Sequence, residues 1–408
     1  MTFHLLSQMK YDNQIRYASQ VIESFRGEMP LHNWLKNYFR ENKQMGSRDR
    51  KQIAELVYCY YRLGHGWPEV AVKERVLIGI FLCNSNKSEL LDYFKPEWNS
   101  QIQRPLWEKL SLIEKGEAGL PTAGTGGFTH LQQIFPWKHN LSQGIDYQAF
   151  SASFLIQPSL FIRVRPGFNA VVRTKLASSG LPFHELSASC IAVPNGTALG
   201  KFLVLDKEVV VQDLNSQKVG EFFFPGENSN HTKWAAWDCC AASGGKSILL
   251  NDLHPGIDLT VSDSRESILY NLSHRFHEAG LKSYHSFAAD LSAPGFNFPQ
   301  GNSFDMIIAD LPCTGSGTWS RTPESLFFFD LKGIERYAKL QQSILRNIVP
   351  RLKPGGALIY ITCSVFAKEN EEQVAFLRKE FGLTEEKTKL LAGYEDKADS
   401  MFVSRLSR

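Results

Sequence analysis

The C-terminal half of this 408-residue chain predicts an α/β fold, a doubly wound and mainly parallel sheet, and three observations carry that expectation. From Lys233 onward, apolar runs of strand length alternate with amphipathic helical patterns, an order that implies right-handed crossovers between parallel strands. One strand-to-helix junction, Asp238 to Lys246, consists almost entirely of small residues and glycines. Acids recur at or just past strand ends, at Asp238, Asp263, Asp290 and Asp310, the edge where open α/β sheets bind ligands.

The elements before this sheet differ in pattern. In residues 1–118, Ala18, Val21, Ile22 and Phe25 share one helical face, as do Leu31, Trp34, Leu35 and Phe39, and then Ile53, Leu56, Val57 and Tyr60. An all-helical domain is expected there, with Ser47 placed to cap the third helix. Arg16, Lys36, Arg40, Lys43, Arg48, Arg50 and Lys51 fall between the apolar positions, as on a solvated surface or one that meets an RNA backbone. The glycine-rich stretch 119–127 has the composition of a linker. Residues 128–230 read as a small α+β module: LFIRVRP around Arg163 and CIAVP from Cys190 as strands, a helix over Val171 to Ser179, and a strand running through VVV into a turn. Gln212, Asp213, Ser216 and Gln217 in that turn are residue types that cap helices.

Residues 231–408 form the third expected domain. Strands are predicted at 234–238, 257–262, 284–288, 304–309, 357–362 and 401–406, with helices such as Ser267 to Ala279 and Leu331 to Leu352 between them.

Composition bounds the function. A chain 43% hydrophobic with a formal charge of +3 supports ordinary cores and permits a nucleic-acid partner without requiring one. No apolar run approaches the roughly 20 residues of a membrane span and no signal-peptide core opens the chain, so a cytoplasmic protein is expected. Seven scattered cysteines without a CxxC pair indicate neither a disulfide framework nor a metal site.

The junction DCCAASGGKS suits an adenosine-containing cofactor. Small residues let backbone N–H groups approach a ligand, a helix N-terminus adds its dipole, and Asp263 ends the next strand as an acceptor for ribose hydroxyls. A phosphate-binding loop is the rival: Gly245, Lys246 and Ser247 are in place, Cys240 stands where the first glycine belongs, and Asp310 could hold magnesium in an NTPase.

Two further strand ends deliver thiols to the same edge, in Asp310-Leu311-Pro312-Cys313-Thr314-Gly315 and in Thr362-Cys363-Ser364. A methyl-donor site with two thiols suits alkylation of a pyrimidine at carbon 5. A thiolate adding to carbon 6 makes carbon 5 nucleophilic, Asp310 can stabilise charge on the ring, and a second group assists elimination.

DCCAASGGKS, ADLPCTGSGTWSRTPE and YITCSVFAKENEE, in this order, resemble three signature blocks of the RNA cytosine-5 methyltransferase family of the Fmu/Sun and Nop type, a class I, Rossmann-like fold. The likeness extends over roughly residues 155–408, and SRDRKQIAELVYCYYR is similar to a NusB-type RNA-binding module. The resemblance implies that Cys363 is the nucleophile and that Cys313 assists product release. It also implies S-adenosylmethionine held by Cys240, Ala241, Ala242, Ser243, Gly244, Gly245, Lys246, Asp263, Asp290 and Asp310. Asp263 would lie at the ribose, Asp290 near the adenine, and Lys246 and Asp310 also at the target base; Arg321 and Pro323 follow the family pattern after the thiol loop.

The small module would serve RNA recognition. The implied partner is RNA, with ribosomal RNA favoured by the helical N-terminal region and transfer RNA as the alternative, and neither a metal nor an obligate protein partner is expected. Related DNA enzymes attack with the cysteine of a Pro-Cys block, so analogy with them would make Cys313 the nucleophile. An NTPase-like protein and a catalytically inactive RNA-binding protein are the readings from other classes. Ser243 replaces the family's usual proline, Arg165 its usual asparagine, and the last strand lacks its usual glycine.

Overall fold

The computed structural model describes residues 2–115, 129–224, 234–296, 298 and 303–408; the expected linker at 119–127 lies outside the described residues. The chain divides into two compact units. The first comprises 1–139, 146–157 and 319–330, and the second comprises 140–145, 158–318 and 331–408. These boundaries differ from those expected. Residues 158–224 belong to the same unit as the large sheet, and a stretch just beyond the Cys313 loop is built into the helical unit.

The first unit is helical. Its helices Thr2–Ser24, Leu31–Glu41, Ser47–Arg62 and Val72–Cys83 bury Val21, Phe25, Leu31, Leu35, Ile53, Leu56 and Val57, the apolar positions spaced for one face. Ser47 is the first helical residue and makes no capping bond, Gly46 standing at the cap. The Arg62 guanidinium donates to the carbonyls of Phe154 and Ile156 and to Gln157 Oε1 (2.6 Å for the last), which ties 146–157 to this unit. Residues 319–330 are held by the Leu31 N–H donating to Glu324 Oε1 at 3.0 Å and by Phe327 packing 5.4 Å from Tyr61. Arg16, Lys36, Arg40, Lys43, Arg48 and Lys51 are exposed, whereas Arg50 is half-buried and donates to the Met45 carbonyl.

The second unit holds two sheets. Strands β1 (Leu160–Val164), β2 (His184–Glu185), β3 (Cys190–Val193) and β4 (Val209–Val211) form an antiparallel sheet in the order β2-β3-β1-β4, backed by the helix Asn169–Ser179. Ile162, Val164, Val172, Leu176 and Ile191 make its core. The larger sheet contains β5 (Ala235–Asp238), β6 (Asp258–Asp263), β7 (His285–Ala288), β8 (Phe304–Asp310), β9 (Leu352–Thr362), β10 (Thr384–Leu391) and β11 (Met401–Ser407).

Its order is β10-β11-β9-β8-β5-β6-β7, with β5 to β9 parallel and β10 and β11 antiparallel at one edge. Alternate residues feed two cores, as strands covered on both faces require. Ala236, Val261, Ile308 and Ile359 pack against Ile248, Leu272 and Phe276. Trp237, Ile307, Leu358 and Tyr360 pack against Ile344, Leu345 and Leu377.

Chain order reverses between β5 and β8, so the loops after these strands flank a crevice at their carboxyl ends. The helix predicted to run to Leu352 ends at Ile348, because Pro350 lies in a 3-10 turn and β9 already begins at Leu352. Among the described residues no helix is long and apolar enough to cross a membrane.

Candidate active site

The site residues expected from sequence lie at or just beyond the ends of parallel strands, where the chain leaves the sheet and its side chains are freed from the two cores. After β5 the loop turns through Ala242 and Gly244, both at positive φ (45° and 79°), before the helix Gly245–Leu253 begins. Only glycine fits at Gly244, because a Cβ there would stand 2.5 Å from Phe276 Cε1. The Ala241 N–H donates to the Ser262 carbonyl and the Ala242 N–H to Asp263 Oδ2 at 3.1 Å. The Ser243 carbonyl and hydroxyl both accept from Arg275 Nη1, at 2.8 and 2.9 Å, while the rest of that guanidinium grips Asp206. Ser243 is therefore tied through its hydroxyl as well as its carbonyl, where a proline would offer only the carbonyl.

A cavity of about 300 Å³ opens on this loop, lined by Ala241, Ala242, Ser243, Gly245, Lys246, Asp238, Asp310 and Cys363 among others. Lys246 Nζ pairs with Asp310 Oδ2 at 2.5 Å. Burial pulls the Lys246 ammonium down, but Asp310 more than offsets it, so the side chain stays charged. Asp238 is buried, and burial pushes its carboxyl up to about 7. Its Oδ2 accepts from Ser247 at 2.6 Å, while Oδ1 has no partner. A larger cavity of about 570 Å³, lined by Arg163, Leu186, Cys190 and Leu249, contains none of the loop residues, so size does not select the site.

The two thiols meet. Cys313 Sγ lies 3.3 Å from Cys363 Sγ, and the Gly317 N–H donates to the Cys363 carbonyl at 2.8 Å. Gly317 has no room for a Cβ against the Ser400 carbonyl. The Cys363 neighbour, burial and the nearby Glu369 carboxylate all push the Cys313 thiol well up, which keeps it protonated. Cys363 borders the cavity, whereas Cys313 is not among its lining residues.

Three expected cofactor residues make contacts within the protein. Asp263 is buried, and its carboxylate holds the loop backbone at Ala242 and the N–H and Nε of Arg265. Asp290 is exposed and accepts from the Ser292 hydroxyl and N–H, which hold its carboxyl below the usual range. The Cys240 side chain packs against the apolar cluster of Trp237 and Leu291. None of the three lines the cavity.

Arg163 and Arg165 are buried and share Asp252, at 2.6 and 2.7 Å. This arrangement makes the two arginines structural within the unit. Residues that sequence reasoning left outside the site also line the cavity: Asp238, Gln212, Asp213, Arg275 and Asp399. Asp238 had a signal in its strand-end position; Arg275 and Asp399 had none, since only folding brings them here.

The residues fit a cofactor carrying positive charge. Asp238 offers a buried oxygen without a partner, and beside Gly245 a Cβ would meet nothing within 4 Å, so the loop leaves open room for a ligand. Strand order and crevice together give this region the class I methyltransferase fold. Within that class, residues 227–405 match the family model described as 16S rRNA methyltransferase RsmB/F.

The region is similar to ribosomal RNA small subunit methyltransferase B of Salmonella arizonae, 35% identical over 176 residues, which are 42% of this chain and 38% of that protein. The protein of the same name from Shewanella oneidensis is 34% identical over 206 residues, 50% of this chain and 45% of that one. The matches thus span less than half of these relatives' lengths. Among solved structures, PH0851 superposes with a TM-score of 0.65 at 17% identity, covering 98% of each chain, a likeness of fold.

Proposed function

We propose that this chain is an S-adenosylmethionine-dependent RNA methyltransferase of the cytoplasm that modifies carbon 5 of a cytosine, with ribosomal RNA as its substrate. One observation carries the reading: a thiol, Cys363, shares a cavity with a Lys246–Asp310 ion pair and a glycine-rich cofactor loop, and a second thiol stands 3.3 Å from it. The family match and the names of the relatives support the ribosomal substrate.

S-adenosylmethionine supplies an electrophilic methyl group on a sulfonium sulfur. Ala241 to Lys246 would hold the cofactor, with Asp238 offering its unpartnered oxygen to positive charge. Asp263 and Asp290 belong to the same proposed set, Asp263 through the loop backbone it holds.

The Cys363 thiolate adds to carbon 6 of the cytosine, forming a C–S bond and pushing the ring electrons toward carbon 5. The Asp310 carboxylate, fixed by Lys246, accepts from the cytosine amino group, and the Lys246 ammonium offsets the negative charge that the addition places on the ring. After carbon 5 has been methylated, its proton must leave and the C–S bond must break, returning the electron pair to sulfur.

Cys313 serves this second half. In the free site its contact with Cys363 is the largest cause that holds its proton on; bonding of the Cys363 sulfur to carbon removes that cause, while burial and Glu369 still act. Cys313 can then lose its proton to solvent and accept the one from carbon 5.

The test is methyl transfer by the purified full chain, with labelled cofactor and small-subunit ribosomal RNA lacking modification, mapped by bisulfite sequencing. Label at carbon 5 of a cytosine is expected, and label lost in Cys363→Ala. Absence of transfer, or label on another atom, overturns the reading.

A further inference from the structure

The two thiols reach each other on loops that leave neighbouring parallel strands, and a buried acid in the turn that follows Cys363 joins those loops. Glu369 is fully buried in a 3-10 turn, Ala367–Glu369, just beyond the Cys363 loop. Its Oε1 accepts from the Thr314 N–H at 2.8 Å, and its Oε2 accepts from Thr314 Oγ1 at 2.6 Å and from the Ser364 hydroxyl. Thr314 adjoins Cys313 in sequence, and Ser364 adjoins Cys363. One carboxylate is therefore bonded to the nearest neighbour of each reactive sulfur.

Asn370, the next residue, accepts from Thr362 Oγ1 at 2.5 Å and donates to the Ser364 carbonyl at 2.9 Å, bracketing Cys363 from both sides. Apolar filling of the same volume is often as stable as a buried carboxylate with its donors, or more so, and stability alone does not account for this one.

We propose that Glu369 is the positioning residue of the thiol pair: its carboxylate staples the Cys313 loop to the Cys363 loop and so sets the approach of the two sulfurs. The inference deepens the function proposed above and rests on it only for its meaning in catalysis. The bond from the Gly317 N–H to the Cys363 carbonyl keeps the loops adjacent in the absence of Glu369. The carboxylate adds the placement of Thr314, and with it the orientation of the Cys313 side chain.

The reading is tested without methyl transfer, by measuring how fast Cys313 and Cys363 form a disulfide in the full chain. Diamide is the oxidant: both thiols lose a proton and an electron, one S–S bond forms, and diamide is reduced to the hydrazine by those two protons and two electrons. Linked peptides are quantified by mass spectrometry. Glu369→Ala is expected to slow the initial rate at least fivefold, and Glu369→Gln, which keeps one acceptor oxygen, by less. Thr314→Val, which deletes one donor and keeps the backbone, should also slow it if Glu369→Ala fails to fold.

In the methyl-transfer assay Glu369→Ala should lower kcat, counted per folded chain by titration of cofactor-binding sites, while leaving KM for the cofactor within twofold. Wild-type disulfide rates in variants with wild-type circular dichroism and melting temperature overturn the staple. A wild-type chain that cross-links rapidly but transfers no methyl group overturns the proposed function and leaves the staple standing.

Discussion

Replacing Asp238 with asparagine isolates the electrostatic cost of burying a carboxyl at the end of β5. Burial raises its pKa from 3.8 to about 7, so the folded chain holds this proton more tightly than the unfolded chain does. That preference stabilises the fold below about pH 4 and is lost as the pH rises through about 7, where the buried group must also ionise. Taking the unfolded carboxyl at 3.8, the penalty on the folded state is about 1.7 kcal/mol near pH 5 and about 4 kcal/mol near pH 8.

Asparagine keeps an oxygen for the Ser247 hydroxyl and removes the titration. It places an amide nitrogen where Oδ1 has no partner, a loss that does not change with pH. The difference between the two pH values cancels that constant loss, and leaves Asp238→Asn gaining about 2.5 kcal/mol on wild type between roughly pH 5 and 8. Urea denaturation followed by circular dichroism at both pH values measures it. If the variant's stability relative to wild type is the same at both, the carboxyl titrates normally and the argument from burial fails.

Four other substitutions probe the thiols, the glycine turn and the buried arginines. Cys313→Ala should accumulate a covalent enzyme–RNA adduct on denaturing gels while Cys363→Ala gives none, and the reverse pattern would exchange the two roles. Gly244→Ala should cost about 2–4 kcal/mol, combining left-handed backbone with a clash against Phe276, and a variant of wild-type stability in urea would refute the packing argument. Asp252→Ala leaves the Arg163 and Arg165 guanidiniums without their shared carboxylate and should cost about 3–5 kcal/mol, whereas an unchanged denaturation midpoint would show that the two buried arginines are satisfied elsewhere.

Much of the large sheet was legible because burial on both faces writes continuous apolar runs into the sequence. The six predicted strands correspond to β5 to β9 and β11, with shifts of a residue or so at most ends and an earlier start for β9. Strand β10, TEEKTKLL, was missed. It is mostly exposed at the sheet edge, carries charges that guard such an edge, and owes its conformation to pairing with β11, including a Thr388–Ser404 hydroxyl contact at 2.7 Å. Capping was the expected role of the 212–217 turn. Asp213 does cap the helix Leu214–Lys218, while Gln212 accepts from Arg163 and donates to Ser216.

The sequence by itself determined the alternation of strands and helices, the glycine-bearing turn and the delivery of two cysteines to one sheet edge. Those features follow from local pattern: period, small residues and strand length are written along the chain. Only the tertiary structure decided that the sulfurs come within 3.3 Å, that Lys246 is held by Asp310, and that Asp263 braces the loop backbone. It also decided that the stretch 319–330 joins the helical unit and that Glu369 bridges both thiol loops. Distances between residues far apart in the chain depend on strand order and on which buried polar groups find partners, and no local pattern encodes either.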